Sequence, residues 1–129
     1  MSGESARLWR EALAERFGRA VRVARANNGW TAAELSARTA AAGFPIHRIA
    51  ISKIENGQRE GKVDLAEVIS LATALGITPV QLLFPDDGRV EVWPGVEMSN
   101  PEALQWFSGQ ITGAQRKLEA IRMIIGDEH

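Results

Sequence analysis

Five side chains within one short stretch, His47, Arg48, Ile49, Ser52 and Lys53, carry the plainest chemistry in this sequence. At helical spacing they share one face of a helix expected over residues 46–55, while Ile46, Ile51 and Ile54 share the other. One face packs, and the other is free to read. A short helix with a polar, cationic outer face fits a DNA major groove about 12 Å wide, where Arg and Lys donate to guanine O6 and N7 and Ser bonds either base type. Ile49 is unusual for solvent but suits a thymine methyl. From spacing alone, the same face serves equally well as the solvated side of a helix in a small bundle.

The elements that must position this face are helical. Residues 4–26 hold no proline and one glycine, with Leu8, Leu13, Phe17, Val21 and Ala24 at helical intervals, which predicts one long helix or two. Asn27, Asn28 and Gly29 stop it. Thr31 with Glu34 three residues on is a capping box that opens a second helix over 32–41. Gly43, Phe44 and Pro45 break the pattern before the third, which Asn56 and Gly57 end. Residues 58–62 are a polar loop. Asp64 with Glu67 caps a fourth helix through Leu75, closed by Gly76, and Thr78 with Pro79 opens a fifth ending near Phe84.

The remainder differs in texture. Asp86, Asp87 and Gly88 make a linker; residues 89–93 and 96–99 read as short strands around Pro94-Gly95, the order that a type II turn requires. Asn100 as N-cap and Pro101 at the first helical position start a last helix, expected to run to Gly126. Its apolar register, Leu104, Phe107, Ile111, Ala114, Leu118, Ile121 and Ile125, alternates spacings of three and four. Gly109 and Gly113 weaken it by roughly 1 kcal/mol each. This register predicts a seam with a second copy, which would place two reading helices on one side of a duplex; the alternative packs Trp106, Phe107 and Ile111 on the hairpin or the fifth helix. Trp9 and Trp30 read as packing residues, and Trp93 as interface or core.

Composition bounds the function. With 129 residues, 45% hydrophobic and 24% charged, the chain is an ordinary globular one, not a disordered or fibrous one. Its net charge of -1 is a cancellation: residues 1–62 hold 11 Lys and Arg against 6 Asp and Glu, residues 63–129 hold 4 against 10. A basic half points to a polyanionic partner. The absence of cysteine removes disulfides and thiolate chemistry and suits a reducing compartment. No segment approaches the about 18 apolar residues of a membrane span, and residues 1–10 lack a signal-peptide stretch, so a cytoplasmic location without membrane attachment is expected.

Separated motifs then fall into a familiar order. Arg22-Val-Ala-Arg25, Gly29-Trp30-Thr31-Ala-Ala-Glu34-Leu35, Ile51-Ser52-Lys53-Ile54-Glu55-Asn56-Gly57, Leu71-Ala72-Thr73-Ala74-Leu75-Gly76 and Leu82-Leu83 closely resemble the Cro and phage-repressor type helix-turn-helix family. The resemblance spans roughly residues 17–84 and implies a mainly α fold: a five-helix, lambda-repressor-like DNA-binding domain, here followed by a short hairpin and a C-terminal helix. It implies that the third helix enters the major groove while the second spans the backbone. Arg48, Ile49, Ser52 and Lys53 then fall where family members contact base edges, Thr31 and Ala32 where they touch phosphate, and Arg25 with Glu55 at a structural ion pair. Gln58, Arg59 and Lys62 would flank the duplex backbone, and Arg16, Arg19, Arg22 and Arg38 could add to the basic surface. Two departures stand out. The link 40–45 is about five residues longer than the tight turn of the simplest members, so helix 2 extends or the loop bulges; and Ile49 and Ala50 replace polar side chains often found there.

The expected organisation is an N-terminal helical extension (1–16), a helix-turn-helix domain (17–84) and a hairpin with a C-terminal dimerisation helix (85–129). The expected function is sequence-specific double-stranded-DNA binding as a transcriptional repressor, with a homodimer as the binding species. A competing class is an antitoxin-like or adaptor protein whose acidic C-terminal half binds another protein. An enzyme is disfavoured: His47 and His129 have no nucleophile or ligand partner at a recognisable spacing, and no glycine motif cradles phosphate. No catalytic set, metal site or cofactor is expected.

Overall fold

A computed structural model describes residues 2–85 and 88–110. The chain forms two compact units, Met1–Leu83 and Phe84–His129. The first holds helices α1 (Ser2–Asn27), α2 (Ala32–Ala42), α3 (Arg48–Glu55), α4 (Leu65–Leu75) and α5 (Pro79–Leu83); the second holds strands β1 (Arg89–Trp93) and β2 (Val96–Ser99) and helix α6 (Asn100–Phe107). The mainly helical architecture is the expected one. Among the described residues no helix is long and apolar enough to cross a membrane.

The first helix is a single element. Phe17 and Val21 are buried, with Leu35, Ile51, Val68, Leu71 and Leu82 from the other four helices, in one apolar centre. Leu8 shares the sequence periodicity but stays 52% exposed, so the pattern continues beyond the part of α1 that packs. Gly18 sets how closely α1 approaches the end of α3: a Cβ there would lie 2.2 Å from the Ile54 carbonyl oxygen.

Capping explains where the helices start. Thr31 Oγ1 accepts from the Glu34 amide at 3.1 Å while Glu34 Oε1 accepts from the Thr31 amide at 3.0 Å, and Asp64 caps α4 by accepting from the Glu67 amide. Helix α2 continues to Ala42 and closes on Gly43, whose φ of 115° is open to glycine and costly for other residues. The longer link is therefore taken up partly by a longer α2. What remains is tied down by side chains of α2 and α4. Buried Thr39 accepts from the Ile46 amide, Ser36 donates to the Ile46 carbonyl, and Ser70 donates to the Phe44 carbonyl. With its backbone held this way, Ile46 does not enter the helix, and α3 begins at Arg48, two residues later than the periodicity predicts.

In the second unit β1 and β2 form an antiparallel hairpin, with an irregularity between Glu91 and Trp93 and Gly95 at φ 85° in the turn. Val90, Val92, Val96 and Met98 alternate inward; Arg89, Glu91, Trp93 and Glu97 are exposed. The last helix departs from expectation twice. Its N-cap is Ser99, one residue earlier than Asn100, because Ser99 completes a capping box with Glu102. It also ends at Phe107, followed by Gly109 at φ 82°. That left-handed step takes the chain out of the helix, so the register through Leu104 and Phe107 does not run on in the same helix to Gly126. Phe107, 51% exposed, meets the edge of Phe84 with ring centroids 5.6 Å apart. The other expected seam residues, Ile111, Ala114, Leu118, Ile121 and Ile125, lie outside the described residues.

Candidate nucleic-acid interface

Helix α3 divides as its sequence requires. Ile51 and Ile54, with Ile46 just before the helix, are buried, and Arg48, Ile49, Ser52 and Lys53 are exposed. The side chains of Arg48, Ser52 and Lys53 make no hydrogen bond or ion pair with any described residue. His47 is exposed too, but it is the N-cap, not a helix-face residue: its Nδ1 accepts from the Ile49 amide at 3.1 Å. That bond commits one ring nitrogen to holding the helix start.

The start of α2 faces the same place. Thr31, Ala32 and Ala33 line a concavity of about 400 Å³ together with Arg48, Ile49, Ser52, Lys53 and Gln58. The amides of Ala32 and Ala33 open the helix without intrahelical partners, and the helix dipole adds positive potential there. Thr31 Oγ1 accepts from the Glu34 amide while its hydroxyl is engaged with the Glu34 carboxyl, so the open donors at this helix start are the amides of Ala32 and Ala33. The Thr31 amide and then its hydroxyl hold the Glu34 carboxyl below the usual carboxylate range. Ala33 was not singled out by sequence reasoning; its neighbour Ala32, on the same row of helix-start amides, was the signal.

The loop after α3 is held on both sides. Gln58 and Lys62 are exposed, while Arg59 is half-buried and pairs with Glu67 of α4 at 2.9 Å. Arg59 was expected to meet phosphate; in this structure its guanidinium is turned to α4. On the other side Arg10 donates to the Gly61 carbonyl at 3.1 Å. Glu60, at φ 56° without being glycine, lies between these two anchors.

At the far end of α3 the expected ion pair forms. Arg25 donates from Nε and Nη2 to the two Glu55 carboxylate oxygens, both at 2.8 Å, and from Nη1 to the Trp30 carbonyl at 2.9 Å. The bond to Glu55 raises the Arg25 guanidinium above its already high ordinary value. Arg22, expected on the basic surface, instead donates to the Glu55 carbonyl and the Asn56 side chain. Arg16 likewise donates to the Leu83 carbonyl, and Arg38 stacks over the Trp30 ring at 3.9 Å. The turn before α2 is thus clamped from both sides of Trp30, and much of the cationic charge of α1 holds the fold together.

One α-helix start, one exposed helix face and one flanking loop therefore meet around a shared cationic depression. No curated protein and no solved structure matches the chain. The family model described as Helix-turn-helix matches residues 21–82, which covers the last turns of α1, all of α2 to α4 and most of α5. The chain therefore carries a DNA-binding helix-turn-helix domain of the Cro and repressor type, the module of a transcriptional regulator.

Proposed function

We propose that this protein is a sequence-specific double-stranded-DNA-binding repressor that reads the major groove with α3. The observation that carries the reading is the set of open polar side chains, Arg48, Ser52 and Lys53, around the same depression as the α2 start. In this reading Arg48 and Lys53 donate to guanine edges and Ser52 to either base type, with Ile49 against a thymine methyl. Exposed His47 retains Nε2 for a base edge or a phosphate. Thr31, the amides of Ala32 and Ala33, Gln58 and Lys62 grip phosphates on either side; Arg59 joins them by leaving Glu67. Repression follows from occupying the duplex.

A homodimer gives the binding species two reading helices and the gain of linked sites. What supports it is the apolar spacing of Ile111, Ala114, Leu118, Ile121 and Ile125 in the sequence, which keeps its three-and-four alternation beyond the end of α6. Selection of bound duplexes from a random pool tests the whole reading. Enrichment of a symmetric site, bound with affinity that falls steeply with salt, is the expected result. Failure to enrich any sequence rejects specific reading, and an asymmetric single site rejects the dimer.

A further inference from the structure

Ile49 is an apolar side chain for which the fold has no use. It is 53% exposed, whereas the isoleucines on the inner side of α3 are 0–5% exposed. Helix stability does not explain it either, because a β-branched residue is a poorer helix former than alanine or lysine. Its place is specific: it is the second residue of α3, its amide fixed by His47, and it lines the depressions on both sides of the helix. One is otherwise edged by Thr31, Arg48 and Ser52 and the other by His47, Arg59 and Lys62 together with the carboxylates Glu60 and Glu67, while Lys53 borders both. A branched side chain with few rotamers therefore stands as a stiff apolar ridge between two polar, cation-bearing hollows.

The major groove presents one apolar feature to such a ridge, the methyl group on C5 of a pyrimidine. Thymine always carries it, and cytosine carries it when methylated. We propose that Ile49 makes this domain a sensor of the pyrimidine C5-methyl group, so that its affinity responds to thymine against uracil and to 5-methylcytosine against cytosine. The inference rests on α3 being the reading helix. Arg48 and Lys53 beside it supply the attraction to DNA, and Ile49 supplies discrimination by a group that bears no charge and donates no hydrogen bond.

The test uses the full chain and the duplex it enriches from a random pool. Each thymine is replaced in turn by uracil and each cytosine by 5-methylcytosine, and binding is measured at fixed salt. At the position facing Ile49, replacing thymine by uracil weakens binding roughly fourfold, the equivalent of one methyl burial, and in a duplex carrying cytosine at that position 5-methylcytosine strengthens it by a similar factor. A response to uracil alone assigns thymine as the source; a response to both assigns the methyl group whatever base bears it. Ile49→Ala binds the methylated and unmethylated duplexes alike, Ile49→Val keeps the difference, and both unfold at the wild-type temperature because the side chain is outside the core. If no methyl change alters binding, or if Ile49→Ala retains the difference, the inference is overturned while DNA reading stands. If no duplex is enriched, both fall together.

Discussion

Helix α3 ends on Glu55, whose side chain is 5% exposed and held by Arg25 at 2.8 Å and Arg22 at 3.6 Å. On the outer face of the same helix, Arg48 in the first turn and Lys53 in the last stand in solvent with no ion-pair partner among the described residues. The same eight-residue helix thus has a saturated end and an open outer face. Burial explains the contrast: a carboxylate out of water must be met by charge and hydrogen bonds, whereas an exposed guanidinium is satisfied by water until something better arrives. Charge that the fold has neutralised belongs to architecture, and charge left uncompensated on a rigid support is available to a partner. A count of basic residues in the sequence cannot separate the two.

The largest effect should come from emptying the saturated end. Glu55→Ala leaves Arg25 facing a vacated carboxylate site and is expected to cost about 3 kcal/mol in chemical denaturation; a loss under about 1 kcal/mol would mean that the pair is ornamental and the contrast false. Gly18→Ala tests the same end through shape. A Cβ 2.2 Å from the Ile54 carbonyl oxygen forces α1 and α3 apart, and about 2 kcal/mol of destabilisation is expected. On the open face the signature reverses. Arg48→Ala and Lys53→Ala should change stability by no more than about 0.5 kcal/mol each, yet each should weaken binding to a selected duplex by about 1–3 kcal/mol; retained affinity would show that the open face is solvated surface. The smallest effect concerns Glu34. Its carboxyl is held below the usual range by the Thr31 amide and hydroxyl, so its contribution is present above the unfolded-state value and is lost as pH falls through the lower folded one. Glu34→Gln, which keeps the capping geometry, should flatten this part of the acid limb of a stability-against-pH curve.

What was legible in the sequence was local. Thr31 with Glu34, Asp64 with Glu67, Gly76, and Pro94-Gly95 each announce a helix start, stop or turn within three residues of the chain, and each performs that role. The division of α3 into buried and exposed faces follows from its period. What was hidden depends on distant partners. Nothing near Arg10, Arg16 or Arg22 in the chain indicates that they bond to Gly61, Leu83 and Glu55, separated by 51, 67 and 33 positions. Arg25 with Glu55 was found only because the family resemblance supplied the pairing. The end of α6 was missed for a different reason. An apolar spacing of three and four argued for continuation, but Gly109 adopts a left-handed backbone that spacing does not register.

The link between α2 and α3 has a consequence for the kinetics of encounter. Thr39, Ser36 and Ser70 fasten the backbone of Phe44 and Ile46, so α2 and α3 are one stiff body before any duplex arrives. The entropy of fixing their relative angle is spent during folding and not at contact. A chain with Thr39→Val would therefore reach DNA with that angle unsettled, and the deficit would surface as slower productive docking even on a perfect operator.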